Sequence, residues 1–419
     1  MEKVGQDHAC TVEAVPGRLQ SWAAGKRDGE KATIGDPSGT PSEPHCLVTI
    51  LNPARSGEMV ADKYQEQWLE REFVGYGFNQ PDPKWPGGAK IAVSFVVQFN
   101  MGAVSLMRRI EGARTDKAPT QESSVEEGDP LSESYLLEIP KNLPVPTRNE
   151  NTEMMYEYGG REGVARVLSV FKKHNMPLTW NVCMFDEAMV SDTRALEKAP
   201  YWIKPIVDSG AEISLAGDRY LDHFSTKPEV EDKMINTAID KLQALTGDKT
   251  LPEAWMVERR SNMSVKLYSL AHKERSLPLL YSSDSNADDL PYWDPSPTGK
   301  GGLLMLPFSY DCTDARFNMR GSGWASPKDY FLHLKDTFDC LYMEGEKGEG
   351  KMMTVLLHPH IIGRAGRIAW FEKFLEYIES KEGVWVARRK DIAAHWTETF
   401  PYDSKTAFGQ TKVAECGQI

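Results

Sequence analysis

His358 and His360 flank Pro359 in the stretch LLHPHIIGR, and imidazole is the side chain whose ordinary pKa lies nearest neutrality. At the end of a strand, His358 is the strongest single candidate for moving a proton. A nearby carboxylate, Asp311 or Asp222, would set its tautomer. Arg259 or Arg219 could stabilise a developing oxyanion, or hold a substrate carboxylate by two parallel hydrogen bonds. Glu258, beside Arg259 and Arg260, is a second candidate base. The alternative is a metal. Side chains two apart on a strand share a face, so His358 and His360, completed by His223 or Asp222, could chelate zinc. Acid/base work without a cofactor is the expectation, with zinc or another divalent ion as the minority alternative.

Further polar clusters follow other apolar runs. EISLAGDRYLDHF carries Arg219, Asp222 and His223, and Asn100 follows the run IAVSFVVQF. SDSNADDLPYW carries Asp284, Asp288, Asp289, Tyr292 and Trp293, and FSYDCTDAR carries Asp311, Asp314 and Arg316. Substrate binding is expected from Asn100, Arg219, Asp222, Asp288, Tyr292, Trp293, Trp324, His360 and Arg364. An aromatic wall of this kind suits a flat or apolar small molecule. Cys183 and Cys312 would act as nucleophiles only with a histidine beside them, and buried thiols are the plainer expectation.

The elements that must position these groups are legible from periodicity. Ile91–Phe99 is continuous, β-branched and aromatic, which predicts a strand buried on both faces. From residue 159 the chain alternates. Helices are predicted over 160–174, 201–208, 229–245, 327–342, 367–380 and 389–396. Strands are predicted over 178–182, 212–215, 254–256, 279–282, 304–307, 353–357 and 384–387. Gly247 stops the long third helix. Such alternation implies a parallel sheet covered by helices, and the strand count fits an α/β barrel of seven or eight strands. In such a barrel the site lies at the C-terminal strand ends, where six polar clusters would share one rim.

Residues 1–70 are rich in Gly, Pro and Ser and read as a partly disordered extension with one short helix near 61–72. The barrel domain is expected over 71–400, with a polar loop near 113–150 and a tail over 401–419. The 61 acidic against 49 basic residues give a net charge of -12, which disfavours a nucleic-acid or anionic-membrane surface. No apolar run is long enough to span a bilayer, and the first residues contain no signal-peptide core. The six cysteines include no CxxC pair, so reduced thiols and a cytoplasmic location are expected.

YGFNQPDPKWPGGAKIAVSFVVQF, EYGGREGVARVL, SDSNADDLPYW, PFSYDCTDARF and MMTVLLHPHIIGRAGR together resemble the polysaccharide deacetylase superfamily, closest to its allantoinase-like branch. The resemblance runs over about residues 70–398. It implies a distorted (β/α)7-8 barrel and hydrolysis of amide or ureide C–N bonds. It also implies departures at the family's metal seat. Acidic residues usual after the first strand are replaced by Asn100 and Met101, and a His-Gly pair usual after the third by Ala216-Gly217. A Gly-Arg pair usual after the fourth is Glu258-Arg259. The expected activity is therefore C–N hydrolysis of a small molecule without the usual metal site. A metal-free lyase, isomerase or cyclase in specialised metabolism is the enzymatic rival, and a ligand-binding pseudoenzyme the rival of another class. Homo-oligomers are compatible with the resemblance.

Overall fold

The computed structural model describes residues 63–64, 75–99, 150–183, 200–217, 223, 226–257, 260–298, 301–318 and 323–404. The extension apart from Lys63 and Tyr64, the polar loop before residue 150 and the last fifteen residues of the tail lie outside them.

Strand β1 (Ile91–Phe99) is buried along its whole length. Its alternate residues meet different partners, as the two-residue period of a strand requires. Ile91, Val93, Phe95, Val97 and Phe99 pack outward under the helices, whereas Ala92 and Val96 belong to clusters on the inner face. Ser94 and Gln98 share that inner face by parity. Phe95 meets Phe171 and Phe371 edge-on at 5.1 Å and 5.9 Å. Burying each ring contributes about 1.5–3 kcal/mol.

The chain continues through α1 (Glu150–Tyr158), a π-type turn at Gly159–Gly163 and α2 (Val164–Lys173). The helix expected from residue 160 thus begins in a segment that sequence periodicity did not mark. There follow β2 (Thr179–Cys183), α3 (Ile203–Asp208), β3 (Glu212–Gly217) and α4 (Pro228–Thr246). The last ends at Gly247, whose φ of 73° suits a residue without Cβ. Next come β4 (Ala254–Trp255), α5 (Ser264–Arg275), β5 (Tyr281–Ser282), β6 (Tyr292–Pro295) and β7 (Gly302–Met305). The last elements are α6 (Pro327–Glu346), β8 (Lys351–Leu357), α7 (Pro359–Ile362), α8 (Ala365–Glu379), β9 (Val384–Val386) and α9 (Arg389–Thr399).

The strands form one sheet in the order β6-β7-β5-β4-β3-β2-β1-β8, parallel except for β6 against β7. β9 pairs with β1 at Ile91–Val93, below the stretch Val96–Phe99 that β2 occupies. The sheet curls until its two ends approach. Irregular chain rather than strand bridges the seam: Thr313 pairs with Leu356, the Leu356 amide donates to Cys312 O, and the Met352 amide donates to Asp289 O. This is the distorted α/β barrel expected. Tyr292 and Trp293, expected on the rim, open the antiparallel edge strand β6: Tyr292 pairs with Met305 at the C-terminal end of β7, whereas Trp293 turns into the lower cluster with Trp396.

Helix α9 plugs the N-terminal end of the barrel. Its Ile392, Ala393 and Trp396 pack with Trp85, Ala92, Ala254, Leu304 and Met352. Its first residue, Arg389, reaches into the lumen and is fully buried. Nε donates to Ser283 Oγ at 2.9 Å, one terminal nitrogen to Ser94 Oγ and Thr354 Oγ1, and the other to the carbonyls of Leu306 and Pro307. Glu212 lies in the same layer and accepts from Thr179 Oγ1, Tyr281 Oη and the Lys390 amide at 2.6–2.9 Å. Burial holds the Glu212 carboxyl above its usual range and the Arg389 guanidinium below its own. Among the described residues no helix is long and apolar enough to cross a membrane.

Candidate active site

His358 directly follows β8, one residue past the register pair Val97–Leu357, which sets it beside Gln98 at the C-terminal mouth of the lumen. Leu356 lies in the inner cluster with Val96 and Met256, so His358, two residues on, shares the inward face. The ring is buried. Its Nδ1 lies 2.6 Å from Asp314 Oδ1, while the His358 amide donates to Asp314 Oδ2 at 2.8 Å. A carboxylate can only accept, so the proton sits on Nδ1 and the basic lone pair on Nε2. Asp314 is itself completely buried, at the start of the short helical turn Asp314–Asn318.

The carboxylate on His358 is therefore Asp314, not Asp311. Only two residues separate them, but the Thr313–Leu356 bridge turns Asp314 toward the β8 end and leaves Asp311 outside the seam. There Asp311 is exposed and faces His333 of α6, with Oδ2 at 3.1 Å from Nε2.

A chain of amides and hydroxyls floors the mouth. Ser214 Oγ donates to Asn181 Oδ1 at 2.9 Å, and Asn181 Nδ2 donates to Gln98 Oε1 at 2.6 Å and to Met256 O at 2.9 Å. This order fixes the Gln98 amide with its oxygen used. Its Nε2 is buried and, among the described residues, has no hydrogen-bond partner. A buried, unmatched donor is costly in a resting protein and useful toward a substrate carbonyl. Asp314 stands among the polar residues of FSYDCTDAR and Gln98 lies inside the run IAVSFVVQF, but sequence pattern alone assigns neither a role. The available signal for Gln98 was a polar residue at inward parity within an otherwise apolar strand.

Asp284 buttresses the rim from β5. Its Oδ1 accepts from the Val257 amide at 2.6 Å and its Oδ2 from Tyr268 Oη at 3.3 Å, which pins the end of β4. Glu231 of α4 ties two rim loops together. It accepts from the hydroxyls of Ser261 and Ser264, and lies 3.7 Å from His223 Nδ1. Burial raises its pKa, although both hydroxyl bonds oppose the shift.

Most of the remaining sequence candidates disperse. His360 stays beside His358: although Pro359 opens α7 and ends the extended geometry, the two rings meet edge-on at 5.7 Å. It stacks on Tyr156 at 4.1 Å, where burial keeps the ring neutral. Among the described residues His223, His358 and His360 do not bring three ligand atoms together, although two of the rings touch. Arg364 lies over the Tyr158 ring at 3.6 Å. Trp293 is buried and donates to Phe400 O at 2.7 Å. Tyr292 Oη is 2.6 Å from Ser285 Oγ. Asp288 closes a turn by accepting from the Leu290 amide, and faces a lateral cavity with Asp311. Trp324 covers Tyr330 of α6, with Arg316 over its ring at 4.9 Å. Of these side chains His360 stays beside the His358 ring, and the others pack into the surrounding walls. Asn100, Arg219, Asp222, Glu258 and Arg259 lie outside the described residues.

The EYGGREG stretch does not supply chemistry; it seats the segment that does. A Cβ on Gly163 would lie 2.1 Å from Pro359 O, and one on Gly159 would lie 2.9 Å from the His360 amide. Only glycine permits this approach, which presses the π-type turn against the residues following β8.

Ala216 occupies the inward face at the end of β3, in contact with Cys183. A methyl group has no lone pair to offer a cation, so the residue set here does not fit the family's usual metal site.

No family model matches the chain. A Schizosaccharomyces pombe protein carrying the name polysaccharide deacetylase is 34% identical over 327 residues, covering 76% of this chain and 93% of that protein. A Pseudomonas aeruginosa PAO1 structure under the polysaccharide deacetylase name has a TM-score of 0.65 at 34% identity, covering 80% of this chain and 100% of its own. The structure of Puue allantoinase has a TM-score of 0.65 at 35% identity, covering 80% of this chain and 99% of its own.

Proposed function

The chain belongs to the polysaccharide deacetylase superfamily, and from that footing we propose that it hydrolyses a C–N bond of a small amide, imide or ureide by acid/base catalysis at His358. The observation that carries this reading is the buried Asp314–His358 couple at the lumen mouth. With its Nδ1 proton held by Asp314, His358 takes a proton from water at Nε2 and returns it to the departing nitrogen. The Asp314 carboxylate stabilises the imidazolium formed between those steps. Gln98 Nε2 donates to the substrate carbonyl as negative charge grows on its oxygen, a role supported by its lack of a partner among the described residues. The relatives' names support the C–N class, and Ala216 supports a reaction independent of the family's usual metal seat.

A small-molecule panel including allantoin, other ureides and N-acetyl sugars tests the proposal, followed by His358→Gln and Asp314→Asn on whichever substrate turns over. Asparagine would offer Nδ1 an N–H and drive the proton to Nε2. Each variant should lower kcat by about 10²–10⁴-fold while the melting curve stays cooperative. Unchanged kcat in both would sink the mechanism. Activity lost on exhaustive chelation and restored by one ion would overturn the metal-independent part alone. A second reading, ligand binding without turnover, draws on the same Ala216. It predicts saturable binding of a panel member with no product.

A further inference from the structure

We propose that Asp311, Cys312 and His333 form a site for a divalent cation of the zinc class, on the outer wall of the barrel and separate from the His358 mouth. The site is built by two elements. Helix α6 begins at a capping box, in which Ser326 and Asp329 exchange side-chain and backbone hydrogen bonds. Its helical period then sets His333, Thr337 and Cys340 along one face. The seam segment at residues 311–313 lies against that face, its Cys312 carbonyl held by the Leu356 amide and by Tyr330 Oη.

One nitrogen, one sulfur and one oxygen converge there. His333 Nε2 is 3.1 Å from Asp311 Oδ2, Cys312 Sγ is 3.8 Å from Asp311 Oδ1, and the three ligand atoms lie within 4.8 Å of one another. Tetrahedral zinc with ordinary bond lengths separates its ligand atoms by about 3.3–3.7 Å, so small side-chain rotations close the set. A plain ion pair explains the cluster less well. His333 Nε2 is shut off from solvent, yet its approach to Asp311 fails the geometry of a hydrogen bond. The mixed donors favour a borderline-soft ion over calcium or magnesium, which take oxygen ligands.

The surroundings fit a site of this kind. Trp324 packs on the His333 ring at 4.8 Å and donates to Thr313 O at 3.1 Å, fixing the imidazole and the seam together. A cavity of about 320 Å³ adjoins the site at Asp311 and is bounded also by Asp289, Thr337 and Cys340. Burial and the Asp311 charge push the Cys312 thiol up, so the residue is a thiol without metal. On binding, the S–H bond breaks, a sulfur–metal bond forms, and one proton passes to solvent per ion.

Cobalt(II) titration of the full-length protein tests this. One equivalent should produce a thiolate-to-cobalt charge-transfer band and intense visible bands of tetrahedral cobalt, with about one proton released. Cys312→Ser should abolish the charge-transfer band. Because Cys312 is buried, His333→Ala on the half-exposed helix face is the second arm and should weaken cobalt binding at least tenfold. Cys340→Ser should leave the band in place. No charge-transfer band in the wild type, or full affinity in His333→Ala, would overturn the proposal. Neither result bears on turnover at His358.

Discussion

The two ends of the lumen differ in how their central polar side chains are engaged. At the plugged end, Arg389 spends its donors on hydroxyls and carbonyls, and Glu212 receives three hydrogen bonds. At the mouth, Gln98 Nε2 is left without a partner among the described residues, and a histidine is held in one tautomer by a buried acid. Satisfied networks in a low dielectric hold a structure in place; an unmatched donor costs stability and waits for a ligand. Trp396 Nε1 at the plugged end is also buried without a partner among the described residues, so it is the Asp314–His358 couple beside Gln98 that marks the mouth as the candidate site.

The largest expected effect breaks the plugged end. Arg389→Met leaves five acceptors and Glu212 without their cation, and should cost about 3–5 kcal/mol in urea unfolding. A loss below about 1 kcal/mol would mean that the network is ornamental.

Gln98→Met sharpens the opposite end. Asn181 keeps its bond to Met256 O, so stability should change by no more than about 1 kcal/mol. Turnover should still fall about 10²–10³-fold, the usual loss for one oxyanion donor. Equal losses in both quantities would erase the distinction between the two ends.

The smallest effect concerns pH, at a residue outside the lumen. His272 accepts from Trp255 Nε1 at 2.7 Å and meets Pro278 O at 2.8 Å, so the neutral ring is fully used. Burial pushes its pKa down to about 4. Between that value and about 6.5 the unfolded chain binds the proton and the fold does not. Stability is therefore full above about pH 6.5 and falls as pH drops toward about 4, by about 3 kcal/mol in all. His272→Gln should flatten that limb of the unfolding midpoint against pH, and an unchanged slope would remove His272 as its cause.

Much of the scaffold was legible from local pattern. The run Ile91–Phe99, the stop at Gly247 and the alternation after residue 159 each depend on neighbours along the chain, and the structure places strands and helices there within a few residues. The rim was harder. Asp288, Asp311, Tyr292, Trp293 and Trp324 all follow strands, but an edge strand and an irregular seam carry them to the outer wall or the lower core.

The sequence by itself determined which stretches become strands and helices, which residues of β1 point inward, and that His358 ends a strand, because these follow from residue size, polarity and period. Only the tertiary structure decided that Asp314 rather than Asp311 holds the His358 ring, that Arg389 enters the lumen, and that His333 meets Asp311 and Cys312. Those pairings join residues up to 295 positions apart. They depend on the curl of the sheet and the closing of its seam, which no local periodicity encodes.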